Sequence, residues 1–237
     1  MKTTFALLPL ACLVLIAALV STTAMQSTEP QFKLVQFHLA LLKKGPKWTG
    51  EKTEAAVRLD QEHQAFVTSL LESGKAIIAG SLNDSGEIRG VYIFRTAIPD
   101  EANAWANADP AVKSGHLLAE VHPWFAEDVM KKTTSPSKMF TAYLAFLMRG
   151  PKWTPEQNPQ TEELQKAHLA NIVRLNKLGK LVVAGPFGDG GKFAGIFVFR
   201  VSSMEEAQAL AATDPAVKAG RLTLDLHPWV VPEGILP

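Results

Sequence analysis

The chain is one unit written twice. Gly45-Pro46-Lys47-Trp48-Thr49 returns as Gly150-Pro151-Lys152-Trp153-Thr154, and Asp109-Pro110-Ala111-Val112-Lys113 returns as Asp214-Pro215-Ala216-Val217-Lys218. His122-Pro123-Trp124 returns as His227-Pro228-Trp229, and the offset is 105 residues every time. Between the first and last of these motifs 33 of 80 positions are identical, without a gap. Self-similarity at a fixed period marks a duplication, so the fold must be two copies of one supersecondary unit. Residues 31–129 form repeat 1 and 139–231 form repeat 2, followed by a tail, 232–237. Residues 130–138 read as the linker, being polar, proline-containing and without apolar periodicity.

The second copy shows what one unit is. Phe140 to Met148 is an apolar, aromatic-rich run of strand length. After a Gly-Pro turn, Thr161 to Leu178 has helical spacing, with Leu164, His168, Ile172, Leu175 and Leu178 on one stripe. Gly179 stops that helix. Leu181–Ala184 and Gly195–Val201 are strands on either side of the Gly188-Asp189-Gly190-Gly191 turn. Met204–Ala212 is a short helix, Asp214-Pro215 opens one further turn as N-cap and first residue, and Arg221–Trp229 is a final strand. The order β-α-β-β-α-β is a ferredoxin-like α+β unit. Its helices share one face of the sheet, yet Ile196-Phe197-Val198-Phe199 is apolar on both alternating sets. Such strands are buried on both sides. Each copy's bare sheet face is therefore expected to cover the other's, making an intramolecular pseudo-dimer.

The N-terminus reads as an address. Lys2 precedes an apolar run, Phe5 to Val20, and then Ser21-Thr22-Thr23-Ala24. A positive start, an apolar middle and a small-residue site make 1–24 a signal peptide cut before Met25, and the alternative is an uncleaved anchor. Cutting there removes Cys12, the sole cysteine, and predicts an exported, periplasmic or secreted, soluble protein. The 24 basic and 23 acidic residues leave a formal net charge of +1, which argues against a nucleic-acid partner. No Gly-x-Ser-x-Gly elbow and no phosphate-binding glycine loop is present. No two histidines stand at helical metal-ligand spacing, so neither a metal nor another cofactor is expected.

These motifs resemble the YCII-related proteins of the dimeric α/β-barrel superfamily. The resemblance rests on His168, on Ala184-Gly185-Pro186 with the Asp189-Gly190-Gly191 turn, on Glu205-Glu206-Ala207, on Asp214 to Gly220, and on Pro228-Trp229. Copy one carries His63, Ala79-Gly80, Asp84, Gly86, Glu101-Ala102, Asp109-Pro110 and Pro123-Trp124, but has Ser81 where copy two has Pro186. The resemblance implies small pocketed proteins with a His–Asp site and, for some relatives, lyase chemistry on hydroxylated aromatics. Other barrels of the superfamily are oxygenases and haem enzymes, and fold kinship does not transfer those activities.

Two readings of the candidate site follow. His168 lies on the buried helical stripe between Leu164 and Ile172, as His63 lies between Leu59 and Val67. Asp189 and Asp84 sit on a turn that could return a carboxylate to that helix, fixing the imidazole tautomer for proton transfer. The pairs His168–Asp189 and His63–Asp84 would then serve a lyase or isomerase acting on a small molecule. In the other reading they are satisfied core histidines beside turn-forming aspartates, in a non-catalytic ligand-binding or structural module. His38 and its counterpart Tyr143 could line the pocket from the first strand. Trp48 and Trp153 could cap it, with Lys47 and Lys152 attracting an anionic ligand.

Overall fold

The computed structural model describes residues 32–132 and 138–237. The expected signal peptide and the linker residues 133–137 lie outside the described residues. Copy one runs β1 (Leu34–Lys44), α1 (Glu54–Glu72), β2 (Ala76–Leu82), β3 (Ile88–Phe94), α2 (Pro99–Asn107), α3 (Pro110–Lys113) and β4 (Leu117–Glu127). Copy two runs β5 (Met139–Arg149), α4 (Pro159–Lys177), β6 (Leu181–Pro186), β7 (Phe193–Phe199), α5 (Met204–Ala211), α6 (Pro215–Lys218) and β8 (Leu222–Pro232). Helix α4 begins two residues before the expected start. Asn158 accepts from the Thr161 amide while the Thr161 hydroxyl accepts from the Asn158 amide, and Pro159 takes the first helical position. Leu178, expected on the buried stripe, is exposed, because it is the C-cap and the chain turns away at Gly179. Among the described residues no helix is long and apolar enough to cross a membrane.

Each copy makes a four-stranded antiparallel sheet, β4-β1-β3-β2 and β8-β5-β7-β6, and the two join into one sheet of eight. The joint is short. Ser81 pairs with Val230, Leu82 pairs with Trp229, and the Asn83 amide donates to the Pro228 carbonyl at 2.9 Å. The far edges meet at the positions related by the repeat: Trp124 bridges Phe187, and the Gly188 amide donates to the Pro123 carbonyl at 2.8 Å. The sheet thus closes on itself through two matching seams, each setting a His-Pro-Trp strand against the other copy's β-turn.

Strand alternation sorts the side chains. Leu39, Leu41, Val91 and Ile93 from copy one, with Leu144, Phe146, Ile196 and Val198 from copy two, form one shared core. Ala40, Leu42, Tyr92 and Phe94 face outward under their own helices with Leu70, Ala102 and Ala106, and copy two repeats this with Ala145, Phe197, Phe199 and Leu175. The mutual covering expected from the doubly apolar strands is present. Separating the copies would expose those inner side chains at roughly 1.5–3 kcal/mol each. The seams need glycine: a Cβ on Gly185 would lie 1.8 Å from the Phe125 carbonyl oxygen, and one on Gly80 would lie 2.7 Å from that of Val230. The Ala-Gly pair of each copy therefore serves the contact between copies.

Candidate active site

Each first helix hangs a histidine over its own sheet, and each Asp-Pro turn brings a buried carboxylate to meet it. In copy one, His63 Nδ1 lies 2.9 Å from Asp109 Oδ2, and the Tyr92 hydroxyl donates to the same oxygen at 2.7 Å. Asp109 Oδ1 accepts from the Ala111 amide at 2.9 Å, so this residue is helix cap and histidine partner together. In copy two, His168 Nδ1 lies 2.7 Å from Asp214 Oδ2, while Asp214 Oδ1 caps α6 through the Ala216 amide at 2.8 Å. Phe197 stands where copy one has Tyr92, and the second donor comes from Asn171 at 3.4 Å. Asn171 Oδ1 is occupied by Arg174 and Thr213, which turns its amide nitrogen toward Asp214.

Both aspartates are fully buried. A carboxylate can only accept, so Nδ1 of each ring carries a proton and donates it, leaving Nε2 as the basic nitrogen of the neutral ring. Burial works to raise the Asp109 carboxyl, but the bonds and charge from His63, with those from Tyr92 and Ala111, outweigh it and hold the group below the usual carboxylate range. Burial, with the charge and hydrogen bond of Asp109, pushes the Tyr92 phenol far up. His168 lies against Phe197 with ring centroids 5.9 Å apart and planes 18° from parallel, and His63 lies on Tyr92 at 6.4 Å and 23°. Neither Nε2 has a hydrogen-bond partner among the described residues.

Each histidine lines a cleft between its helix and its sheet. The copy-two cleft has a volume of about 610 Å³ and is lined by His168, Trp153, Ile172, Ala194, Phe197 and Leu222, among others. The copy-one cleft measures about 530 Å³ and is lined at matching positions by His63, Trp48, Val67, Arg89, Tyr92 and Leu117. An apolar concavity with one oriented imidazole is a setting for proton transfer on a small molecule.

The histidines, the tryptophans and the clefts stand where the sequence pointed, but the acidic partners do not. Asp189 does not meet His168, and Asp84 does not meet His63. The turn that carries each of them crosses the seam: Asp189 Oδ2 lies 2.5 Å from Nδ1 of His122, and Asp84 Oδ2 lies 2.6 Å from Nδ1 of His227. Each turn is braced by its own aspartate, which accepts from the Gly191 amide at 3.1 Å or the Gly86 amide at 2.8 Å. Nε2 of His122 approaches Glu120 to 3.0 Å and Nε2 of His227 approaches Asp225 to 3.2 Å, both without hydrogen-bond alignment.

Other expected pocket residues are elsewhere too. His38 is buried with Nδ1 2.9 Å from the Thr96 carbonyl, and Tyr143 packs into the copy-two outer core; neither lines a cleft. The stems of Lys47 and Lys152 lie along Gly115 and Gly220, away from the clefts, because the Gly-Pro turn points them over the last helical turn. Arg89 supplies a cation that sequence reasoning did not anticipate. The true partners, Asp109 and Asp214, each follow their histidine by 46 residues, but the repeat keeps Asp84 and Asp189 at equal spacings too and so does not choose between them. Their place before proline marked Asp109 and Asp214 as caps alone. Among the described residues no three His, Cys, Asp or Glu side chains are grouped to hold a metal ion.

The YCII-related domain model matches residues 36–125 and again 145–229. No curated protein matches the sequence. A chlorite dismutase variant from Candidatus Nitrospira defluvii superposes with a TM-score of 0.55 at 12% identity, covering 85% of this chain and 92% of that one. A heme-binding protein from Thermus thermophilus superposes with a TM-score of 0.51 at 12% identity, covering 87% and 95%. At such identity these likenesses establish the fold alone, an α+β sheet of two tandem units of the dimeric α/β-barrel type.

Proposed function

This chain belongs to the YCII-related domain family, with two copies of the domain, and from that premise we propose that it is an exported small-molecule enzyme of lyase or isomerase type acting by general acid–base catalysis. The observation that carries this reading is the imidazole of His168, oriented through Nδ1 by a fully buried Asp214 and unpartnered at Nε2 beside a cleft of about 610 Å³. His63 with Asp109 repeats the arrangement in copy one.

Asp214 fixes the tautomer and stabilises the imidazolium that forms when Nε2 takes a proton. In an elimination, Nε2 removes a proton from carbon, the freed electron pair becomes the new double bond, and the leaving group departs with its own pair. In an isomerisation the same nitrogen returns the proton to another atom. Neither route requires a redox partner. Export rests on the Lys2-led apolar N-terminus and its Ser21 to Ala24 site.

The test is a screen of hydroxylated aromatics and lactones, followed by His63→Ala/His168→Ala. Turnover should fall by roughly 10²–10⁴-fold. Turnover that survives the double change refutes the acid–base role, and ligand-dependent stabilisation without turnover makes the chain a binder.

Heme is a second reading, since the Thermus neighbour binds it. The copy-two cleft could offer a heme iron Nε2 of His168, with Lys177 among the lining for the acidic groups. Bound heme would supply redox and ligand-exchange chemistry. A hemin titration decides: a Soret shift lost in His168→Ala favours heme, and no shift favours the acid–base reading.

A further inference from the structure

The repeat makes every position of one cleft comparable with its counterpart 105 residues away, and the two clefts differ in one consistent way. On the sheet side, copy two presents Pro186, Ala194 and Phe197. Copy one presents Ser81, Arg89 and Tyr92 at those positions. We propose that the clefts have diverged in ligand class, and that the copy-one cleft takes a small organic carboxylate, its charge on Arg89 and its apolar body against Trp48.

Arg89 has the surroundings of a ligand-binding cation. Its guanidinium lies 5.4 Å from the centre of the Trp48 ring, and Trp48 in turn packs on His116 with centroids 4.6 Å apart. One Nη donates to the Asp84 backbone carbonyl, which anchors the side chain. Its Nε is buried without a partner. A buried donor left unspent costs free energy, and the side chain as a whole is 24% exposed on the cleft lining, so a carboxylate that draws the guanidinium toward it would relieve that cost. Arginine suits this role because its planar fork matches a carboxylate.

Among the described residues no carboxylate hydrogen-bonds the guanidinium. Asp84 stands 3.9 Å from Arg89 Nη1 and pairs with it electrostatically, but its oxygens accept from His227 and Gly86, which leaves the guanidinium's remaining donors for a second anion. Asp109 is spent on His63, Tyr92 and Ala111. Asp60 is the remaining acid of the lining, on an exposed part of α1. Lys43 adds nothing, being paired with Glu120.

Copy two lacks this device. Ala194 replaces Arg89. Arg221, at the position of His116, is tied to the Thr154 hydroxyl at 3.1 Å and the Thr154 carbonyl at 2.7 Å. Trp153 does carry a cation, Arg149 at 4.0 Å, but Arg149 does not line the cleft. Lys177 lies at the end of α4, away from the position of Arg89.

The proposal rests on reading the clefts as ligand sites, and its test is a binding measurement that needs no turnover, so either idea can fail while the other stands. The full chain, with its tryptophan indoles labelled with ¹⁵N, is titrated with benzoate and with the neutral benzyl alcohol. Trp48→Phe and Trp153→Phe assign the two reporter signals. Benzoate should move the Trp48 signal and leave that of Trp153 nearly still, and Arg89→Gln should weaken this response about tenfold. Unchanged Trp124 and Trp229 signals, from the two seams, show that the variant is folded. Should they move, Ala194→Arg decides, because it should create a benzoate response at Trp153 and its failure to do so refutes the proposal. The proposal is also overturned if benzoate moves both reporters alike, or if Arg89→Gln weakens binding less than threefold. It is overturned too if benzoate and acetate both leave Trp48 unmoved, whatever inorganic phosphate does, or if benzyl alcohol binds beside Trp48 as tightly as benzoate.

Discussion

Replacing both seam aspartates, Asp84→Asn with Asp189→Asn, should loosen the closed sheet without touching either cleft histidine. Each seam is short: β2 and β8 share two paired positions, against eleven between β1 and β4. Side chains must therefore do much of the joining, and at each seam a carboxylate from one copy accepts from the other copy's imidazole, at 2.5 and 2.6 Å. A hydrogen bond to a charged group contributes about 1.5–3 kcal/mol. Asp84 and Asp189 are a little over a quarter exposed, at 28% and 30%, so screening puts each nearer ~1–2 kcal/mol. The two latches connect only at a distance, through the rings of Phe193 and Phe146. Their losses should add to ~2–4 kcal/mol. For a chain of this size that lowers Tm by about 5–15 °C.

Burial raises both carboxyls, but the bonds from His227 and Gly86, and from His122 and Gly191, outweigh it and hold them below the ordinary range. A lowered carboxyl stabilises the fold fully above its unfolded value, near pH 4, and loses that contribution as pH falls through the folded value. Urea unfolding of wild type and double variant should differ at pH 7, and the gap should close as pH falls below about 4. An unchanged midpoint at pH 7, or a gap that persists undiminished at pH 2, would refute the latch.

The remaining predictions concern the cleft machinery and the seam backbone. Asp214→Asn should lower turnover by roughly 10²-fold or more, and ¹⁵N spectra of His168 should show the loss of its Nδ1–H tautomer, which a purely structural role would not produce. Tyr92→Phe removes one donor from buried Asp109 and should cost ~1.5–3 kcal/mol in chemical unfolding. Adding Phe66→Asn, which copies the copy-two solution at Asn171, should restore part of that. Gly185→Ala would press a Cβ to 1.8 Å from the Phe125 carbonyl oxygen and should cost ~3 kcal/mol or more. Gly179→Ala, strained only by a φ of +66° with open space around it, should cost about 1–2 kcal/mol by the same assay.

The repeat, the βαββαβ order and the mutual covering of the sheets were all written in the chain, because they depend on local periodicity and on the plain count of apolar faces. Strands such as Ile196–Phe199, apolar on both sides, cannot be satisfied by one layer of helices, so a second sheet had to exist. The two helical histidines were legible for the same reason: a polar ring on a buried stripe demands a partner. Which carboxylate answers each ring was a question of tertiary geometry. Asp84 and Asp189 are nearer in sequence to the helical histidines than Asp109 and Asp214 are, yet the seam carries their turns across to the other copy, where His227 and His122 wait. Asp109 and Asp214 appear in the sequence as helix caps, and only the docking of α3 and α6 beside α1 and α4 lets the second carboxylate oxygen reach an imidazole. Local pattern specifies which face of an element is buried; the packing of distant elements decides what it meets there.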